Sequence, residues 1–126
     1  MAFSFVTINI NGLIEVKKRR TSFSWLIKNK FDIILLQETH GTVSDIEKWG
    51  QKWKDLGGNF SLWNDRERAS RGVAILFNTG QGVLIKEDKK DNDGRVLSCE
   101  IKIENQIYKL INIYCPNNNE ERKQLI

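Results

Sequence analysis

At 126 residues, with 40% hydrophobic and 29% charged residues, the chain is one domain at most, of ordinary globular usage, which excludes disorder. Twenty Lys and Arg against sixteen Asp and Glu leave a net charge of +4, a mild excess that favours polyanions such as nucleic acid, although many enzymes with small substrates carry as much. No apolar run reaches the roughly 18 residues of a membrane span, and MAFSFVTINING at the N-terminus is not a secretory signal, so a nuclear or cytoplasmic protein is expected.

The first predicted element is a strand over Phe3 to Ile10, closed by Asn11-Gly12. Glu15 to Asn29 follows with Val16, Phe23, Leu26 and Ile27 on one helical face and Lys17, Lys18, Arg19 and Lys28 largely elsewhere. Ile33 to Gln37 is nearly unbroken apolar sequence, as in a strand covered on both faces. Ser44, with Glu47 three residues on, predicts a capping box for a second helix that ends at Gly57-Gly58.

Strands are then expected at Phe60 to Trp63, Gly72 to Phe77 and, more weakly marked, Val83 to Ile85. Leu97, Cys99, Ile101 and Ile103 alternate within Arg95 to Glu104, giving a strand with one wet face, and Glu104-Asn105 turns it back into Gln106 to Tyr114. Pro116 stops that strand, and Asn117 to Asn119 cap a helix beginning near Glu120. Helices between strands indicate an α/β fold, with an antiparallel hairpin added. Cys99 and Cys115 are too few for a disulfide framework and read as buried, reduced thiols.

Three strands finish in a polar residue followed by a turn: Asn9 and Asn11 in TINING, Glu38 in IILLQETHG, and Asn112 and Tyr114 in LINIYCPNN. Lying side by side, they would meet at one sheet edge, where open α/β sheets place their sites. The residue types suit Mg²⁺, a hard ion that takes oxygen ligands, keeps several waters and often uses only one or two carboxylates plus a substrate phosphate. Glu38 would anchor it, Asn9 and Asn11 would hold a metal-bound water or orient the carboxylate, and Tyr114 would donate to a phosphate oxygen. Each has a plainer alternative: Asn11-Gly12 as a turn, Glu38 as a solvated charge, Tyr114 as a packed ring.

TININGL at 7–13, LLQETHG at 35–41, RGVAILF at 71–77 and LINIYCPN at 110–117, in this order, resemble the endonuclease/exonuclease/phosphatase superfamily. QETH, Ser24-Trp25-Leu26-Ile27 and NIYCPN look most like the endonuclease domains of LINE-type retrotransposons. The resemblance runs from Phe5 to about Arg122 and implies half of a four-layer α-β-β-α sandwich of the DNase I-like fold, a mixed sheet with outer helices. It implies a metal-binding role for Glu38, an active-site amide at Asn9, a position near the metal for Asn11, and a phosphate-contacting phenol at Tyr114. Arg95, matching a Gly-Arg that opens its strand, is expected to be structural.

The activity implied is Mg²⁺-dependent (or Mn²⁺-dependent) hydrolysis of a DNA phosphodiester, with DNA as partner and with Arg66, Arg68, Arg71 and His40 on the DNA side. Lys17 to Arg20 suits a DNA contact or a solvated helix face equally. The family's GDFN and Ser-Asp-His segments do not occur within residues 1–126, so the chain is expected to be the N-terminal half of its domain and to cleave DNA negligibly by itself. This half would supply one sheet, whose uncovered inner face could be closed by a homodimer or domain swap. The competing readings are a non-catalytic nuclease-like module that binds nucleic acid or a partner, and a phosphatase of the same superfamily.

Overall fold

In the computed structural model, residues 3–66, 71–79 and 83–116 are described, apart from the side chains of 83, 84 and 88. The order is β1 (Phe5–Asn9), α1 (Val16–Lys28), β2 (Ile33–Gln37), α2 (Val43–Asp55), β3 (Ser61–Asn64), β4 (Val73–Phe77), β5 (Val83–Lys90), β6 (Val96–Ile103) and β7 (Gln106–Ile113). The predicted helix near Glu120, its caps at Asn117 to Asn119, and Arg68 lie outside the described residues.

The strands form two sheets. One has the order β1-β2-β4-β3, with β1 parallel to β2 and the other pairs antiparallel; the second is the antiparallel meander β5-β6-β7. A parallel pair needs a crossover, and α1 supplies it between β1 and β2.

The period of two explains how one central strand can be apolar throughout. In β4, Ala74 and Leu76 join Ile34 and Leu36 of β2 under Phe23 and Leu26 of α1 and Trp49 and Trp53 of α2. Val73, Ile75 and Phe77 point the other way and meet Leu97, Cys99 and Ile101 of β6. The helix-side layer is rich in aromatic rings set edge to face, Phe23 on Trp53 at 5.4 Å and Trp49 on Trp63 at 5.9 Å between centroids.

This arrangement corrects two expectations. The chain contributes to both sheets of the sandwich, so the inner face of the first is already covered, and the argument for a homodimer closing it falls away. Exposed apolar side chains do occur on the outside of the second sheet, where Ile107, Ile111 and Ile113 of β7 are exposed. In addition, β7 does not lie beside β1 and β2 but faces them across the sandwich.

Local details also moved. The second helix is capped by Thr42, not Ser44: Thr42 is extended, and its N–H and hydroxyl both donate to the Asp45 carboxylate at 2.9 Å. The weak strand at Val83 runs on to Lys90, because β6 pairs with it along its length across a bulge between Glu87 and Lys89. Cys99 is buried as expected, whereas Cys115, past the end of β7, is exposed.

Candidate functional site

β1 and β2 end level, with Asn9 beside Gln37, so the segments that follow leave the sheet together. The Asn9 amide donates to Oε2 of Glu38, while Asn9 Oδ1 accepts the Asn11 N–H at 3.1 Å. Gly12 N–H donates to the Glu38 carbonyl at 2.6 Å and Leu13 N–H to the Thr39 carbonyl at 2.9 Å. Two turns from distant parts of the chain are thereby stitched into one surface.

That surface is conformationally expensive. Asn11, Glu38, His40 and Arg71 all have φ between 50° and 67°, a left-handed backbone that costs a non-glycine residue on the order of 1 kcal/mol. Gly12 also has positive φ, and a Cβ there would lie 2.9 Å from His40 Nδ1. The His40 ring therefore packs directly on the Gly12 backbone. Its Nε2 sits 3.6 Å from Glu38 Oε1, and the two side chains are 16% and 23% exposed.

Tyr114 reaches the same end of the molecule from the opposite sheet. Its N–H donates to the Arg95 carbonyl at 2.8 Å, Gly72 N–H to the Gly94 carbonyl at 2.8 Å, and Thr39 N–H to the Gly72 carbonyl at 3.1 Å. This backbone relay connects the segment after β7 to the one after β2. The Tyr114 ring packs on the inter-sheet core.

Asn112, read from the sequence as a further strand-end group, has a different task. It is 2% exposed, its amide donates to the Leu36 and Ala74 carbonyls at 2.8 Å each, and its Oδ1 accepts from Gln37 Nε2 at 2.8 Å. It pins the second sheet to β2 and β4 just inside the site. Arg95 is likewise buried, at 5% exposure, consistent with a structural role.

The basic residues divide. Arg71 lies on the rim, its carbonyl accepting the His40 N–H at 3.0 Å, and exposed Arg66 runs beside Gly94. In α1, Lys18 Nζ donates to the Asn11 carbonyl at 2.8 Å, and Arg19 donates to the Leu13 and Ile14 carbonyls while stacking over Trp49. Two of the four charges in the Lys17–Arg20 run thus hold the turn after β1, whereas Lys17 and Arg20 are exposed.

One residue escaped the sequence reading. Asp65, just after β3, is 1% exposed, and its Oδ1 accepts from the Thr39 hydroxyl and from Gly41 N–H at 3.0 Å. Burial pushes its pKa up to about 6, against the lowering effect of those two hydrogen bonds. In the sequence it stands within Trp-Asn-Asp-Arg, which reads as a polar turn with no sign that the carboxylate is enclosed.

Solved structures with this architecture include the AP endonuclease LMAP of Leishmania major (TM-score 0.72, 21% identity, 98% of this chain and 43% of that one) and an AP endonuclease of Archaeoglobus fulgidus (0.66, 20%, 98% and 47%). An endonuclease/exonuclease/phosphatase family protein of Leptotrichia buccalis matches at 0.62, with 14% identity over 94% of this chain and 57% of that one. The fold is that of the AP endonucleases. In sequence, 122 residues are 30% identical to a stretch of the "Transposon TX1 uncharacterized 149 kDa protein" of Xenopus laevis, covering 97% of this chain and 9% of that protein. No family model matches the chain. The chain spans about half of each of these AP-endonuclese-fold structures and a small part of the transposon protein.

The donor set fits a divalent cation that keeps most of its own water. Among the described residues no group of three or more His, Cys, Asp or Glu side chains converges. A single carboxylate with one oxygen taken by the Asn9 amide, beside the exposed Asn11, is the arrangement a weakly held Mg²⁺ accepts. Among the described residues no helix is long and apolar enough to cross a membrane.

Proposed function

We propose that the chain is the metal-holding half of a DNA endonuclease domain of the LINE-retrotransposon type, acting on a phosphodiester of DNA. The observation that carries this is the Glu38 carboxylate gripped by the Asn9 amide at the end of a parallel strand pair, in a chain related to a transposon protein. A domain extending over residues 1–126 and beyond fits the fraction of each relative that the chain covers.

In this reading Glu38 holds Mg²⁺, or Mn²⁺ in its place, through the oxygen that Asn9 leaves open, with Asn11 beside it. The bound ion would polarise a phosphoryl oxygen and offset charge building there. Asn9 keeps the carboxylate from rotating, and its own carbonyl is oriented by the Asn11 N–H. Tyr114, held by the Arg95 carbonyl, would donate its phenol to a phosphate oxygen. Arg66, Arg71 and His40 on the rim, with Arg68 between the two arginines in sequence, would contact the DNA backbone, which sets affinity without reading bases. A substrate in the genome would call for a protein that acts in the nucleus or cytoplasm.

Groups that act as a catalytic unit fail together when several are missing. Residues 1–126 alone are therefore expected to bind Mg²⁺ weakly and to nick DNA negligibly. Metal-dependent relaxation of supercoiled plasmid by the pure 126-residue chain would overturn that expectation. Metal-dependent nicking by the chain joined to the second half of an endonuclease domain, absent in Glu38→Gln, supports the endonuclease reading; DNA binding with no nicking by that completed domain supports a non-catalytic module instead.

A further inference from the structure

Glu38 is the centre of the proposed site, yet it occupies a left-handed backbone conformation that few non-glycine residues adopt, with φ of 57°. Its neighbour His40 has φ of 61°, so the Glu38–Gly41 segment stays in place only if its surroundings hold it. Four backbone hydrogen bonds do so: Gly12 N–H on the Glu38 carbonyl, Leu13 N–H on the Thr39 carbonyl, Thr39 N–H on the Gly72 carbonyl and His40 N–H on the Arg71 carbonyl. One buried side chain adds to them at Thr39 and Gly41.

Asp65 approaches from beneath, at the end of β3. A single oxygen, Oδ1, receives both the Thr39 hydroxyl and the Gly41 N–H, so it brackets His40 from either side. The fit is close. A Cβ on Gly72 would fall 2.0 Å from Asp65 Oδ1 and 2.2 Å from Thr39 Oγ1, and one on Gly41 would fall 3.1 Å from the Asp65 carboxyl carbon. The other oxygen, Oδ2, is buried without a hydrogen-bond partner among the described residues. A buried carboxylate with one idle oxygen costs stability that a neutral or apolar side chain would not. The cost is offset if the two accepted bonds are what the site requires.

We propose that Asp65 is a positioning residue, which fixes the direction of the Glu38 carboxylate by clamping Thr39 and Gly41 on the two sides of His40. It touches neither metal nor substrate and acts only through the segment it holds. The proposal rests on Glu38 being the cation ligand for its functional consequence, while its structural content stands apart from that reading.

The test compares Asp65→Ala with Asp65→Asn in the 126-residue protein. Asn keeps one carbonyl oxygen where both donors converge; Ala removes it. Amide hydrogen exchange reads the clamp directly: in Asp65→Ala the Gly12, Thr39, His40 and Gly41 N–H groups should exchange about tenfold faster or more, with the β6–β7 amides unchanged. Asp65→Asn should restore their protection. Mn²⁺ affinity, measured by electron paramagnetic resonance, should fall about tenfold or more in Asp65→Ala and stay near the parent value in Asp65→Asn.

Should Asp65→Ala not fold, Thr39→Val removes one of the two donors at nearly constant volume and should lower protection of the same amides. Unchanged protection in Asp65→Ala, or in Thr39→Val where that variant stands in, overturns the proposal, as does equal loss in the Ala and Asn variants. If the parent protein binds no Mn²⁺ but the exchange pattern appears, the cation reading fails and the clamp survives. If Glu38→Gln abolishes binding and Asp65→Ala leaves it intact, the clamp has no functional consequence.

Discussion

Asn9 and Glu38 come from strands that pair in parallel, and a carboxylate held by an amide has lost most of its rotational freedom before any ion arrives. Replacing Glu38 by Gln keeps the shape and the accepting oxygen but removes the charge. Isothermal titration should show Mg²⁺ or Mn²⁺ affinity falling about tenfold or more, with the thermal midpoint nearly unchanged, since a partly exposed side chain contributes little to stability. Asp65 makes a second, separate prediction. Its pKa rises from 3.8 to about 6, chiefly because burial disfavours the ionised form; Asp45 adds to the rise, and Thr39, Gly41 and His40 oppose it. A carboxyl with a raised folded-state pKa binds more protons in the native state, so its contribution is fully present below pH 3.8 and lost as pH rises through about 6. The change amounts to roughly 3 kcal/mol at most. Urea melts of Asp65→Asn should show that loss between pH 4 and 6 flattened, with a higher midpoint than the parent at pH 7; an unchanged profile would remove Asp65 as its source.

At the level of elements, the sandwich depends on how its two sheets are joined. Most of the joint is apolar, but Asn112 places three hydrogen bonds inside it, to Leu36, Ala74 and Gln37. Asn112→Ala strands these partners in a dry interface, and the expected loss is about 2–4 kcal/mol, read as a lower denaturation midpoint. Asn112→Asp should be worse at pH 7, since it replaces the two donated bonds with a buried charge facing carbonyls. Most strands were legible because they are short β-branched or alternating runs, the charged extension of β5 from Lys86 to Lys90 excepted, and both helices lay where apolar periodicity and the double glycine set them. Sheet membership was not legible. LINIYCPN has the same look whether β7 lies beside β2 or across from it, because a period of two says which residues share a face and not what that face meets. The helix cap at Thr42 was missed for a related reason: Thr42-Asp45 and Ser44-Glu47 offer nearly the same chemistry, and the path of the chain out of the Glu38 segment chooses between them.

Over the whole molecule, the candidate site and the exposed isoleucines of β7 lie on different surfaces. Asn9, Asn11, Glu38 and His40 gather at one end with the segment bearing Tyr114, and that much could be anticipated from residue types at strand ends. Asp65 could not, since enclosure is a property of the finished fold. The outer face of the second sheet carries Ile107 at 68% exposure, Ile111 at 53% and Ile113 at 48%. Such a stripe binds hydrophobic dyes and promotes association. Ile107→Lys with Ile111→Lys should reduce dye fluorescence and raise solubility while shifting stability by no more than about 0.5 kcal/mol, as surface changes usually do.

The four tryptophans are unevenly spread. Trp49, Trp53 and Trp63 sit together in the layer between the helices and the first sheet, Trp25 is half exposed on α1, and the second sheet has none. Intrinsic emission from this protein therefore reports on one storey of the building only. Emission and far-ultraviolet ellipticity recorded on the same sample would trace separate melting curves if the meander came away first, and a single shared curve if both sheets let go at once.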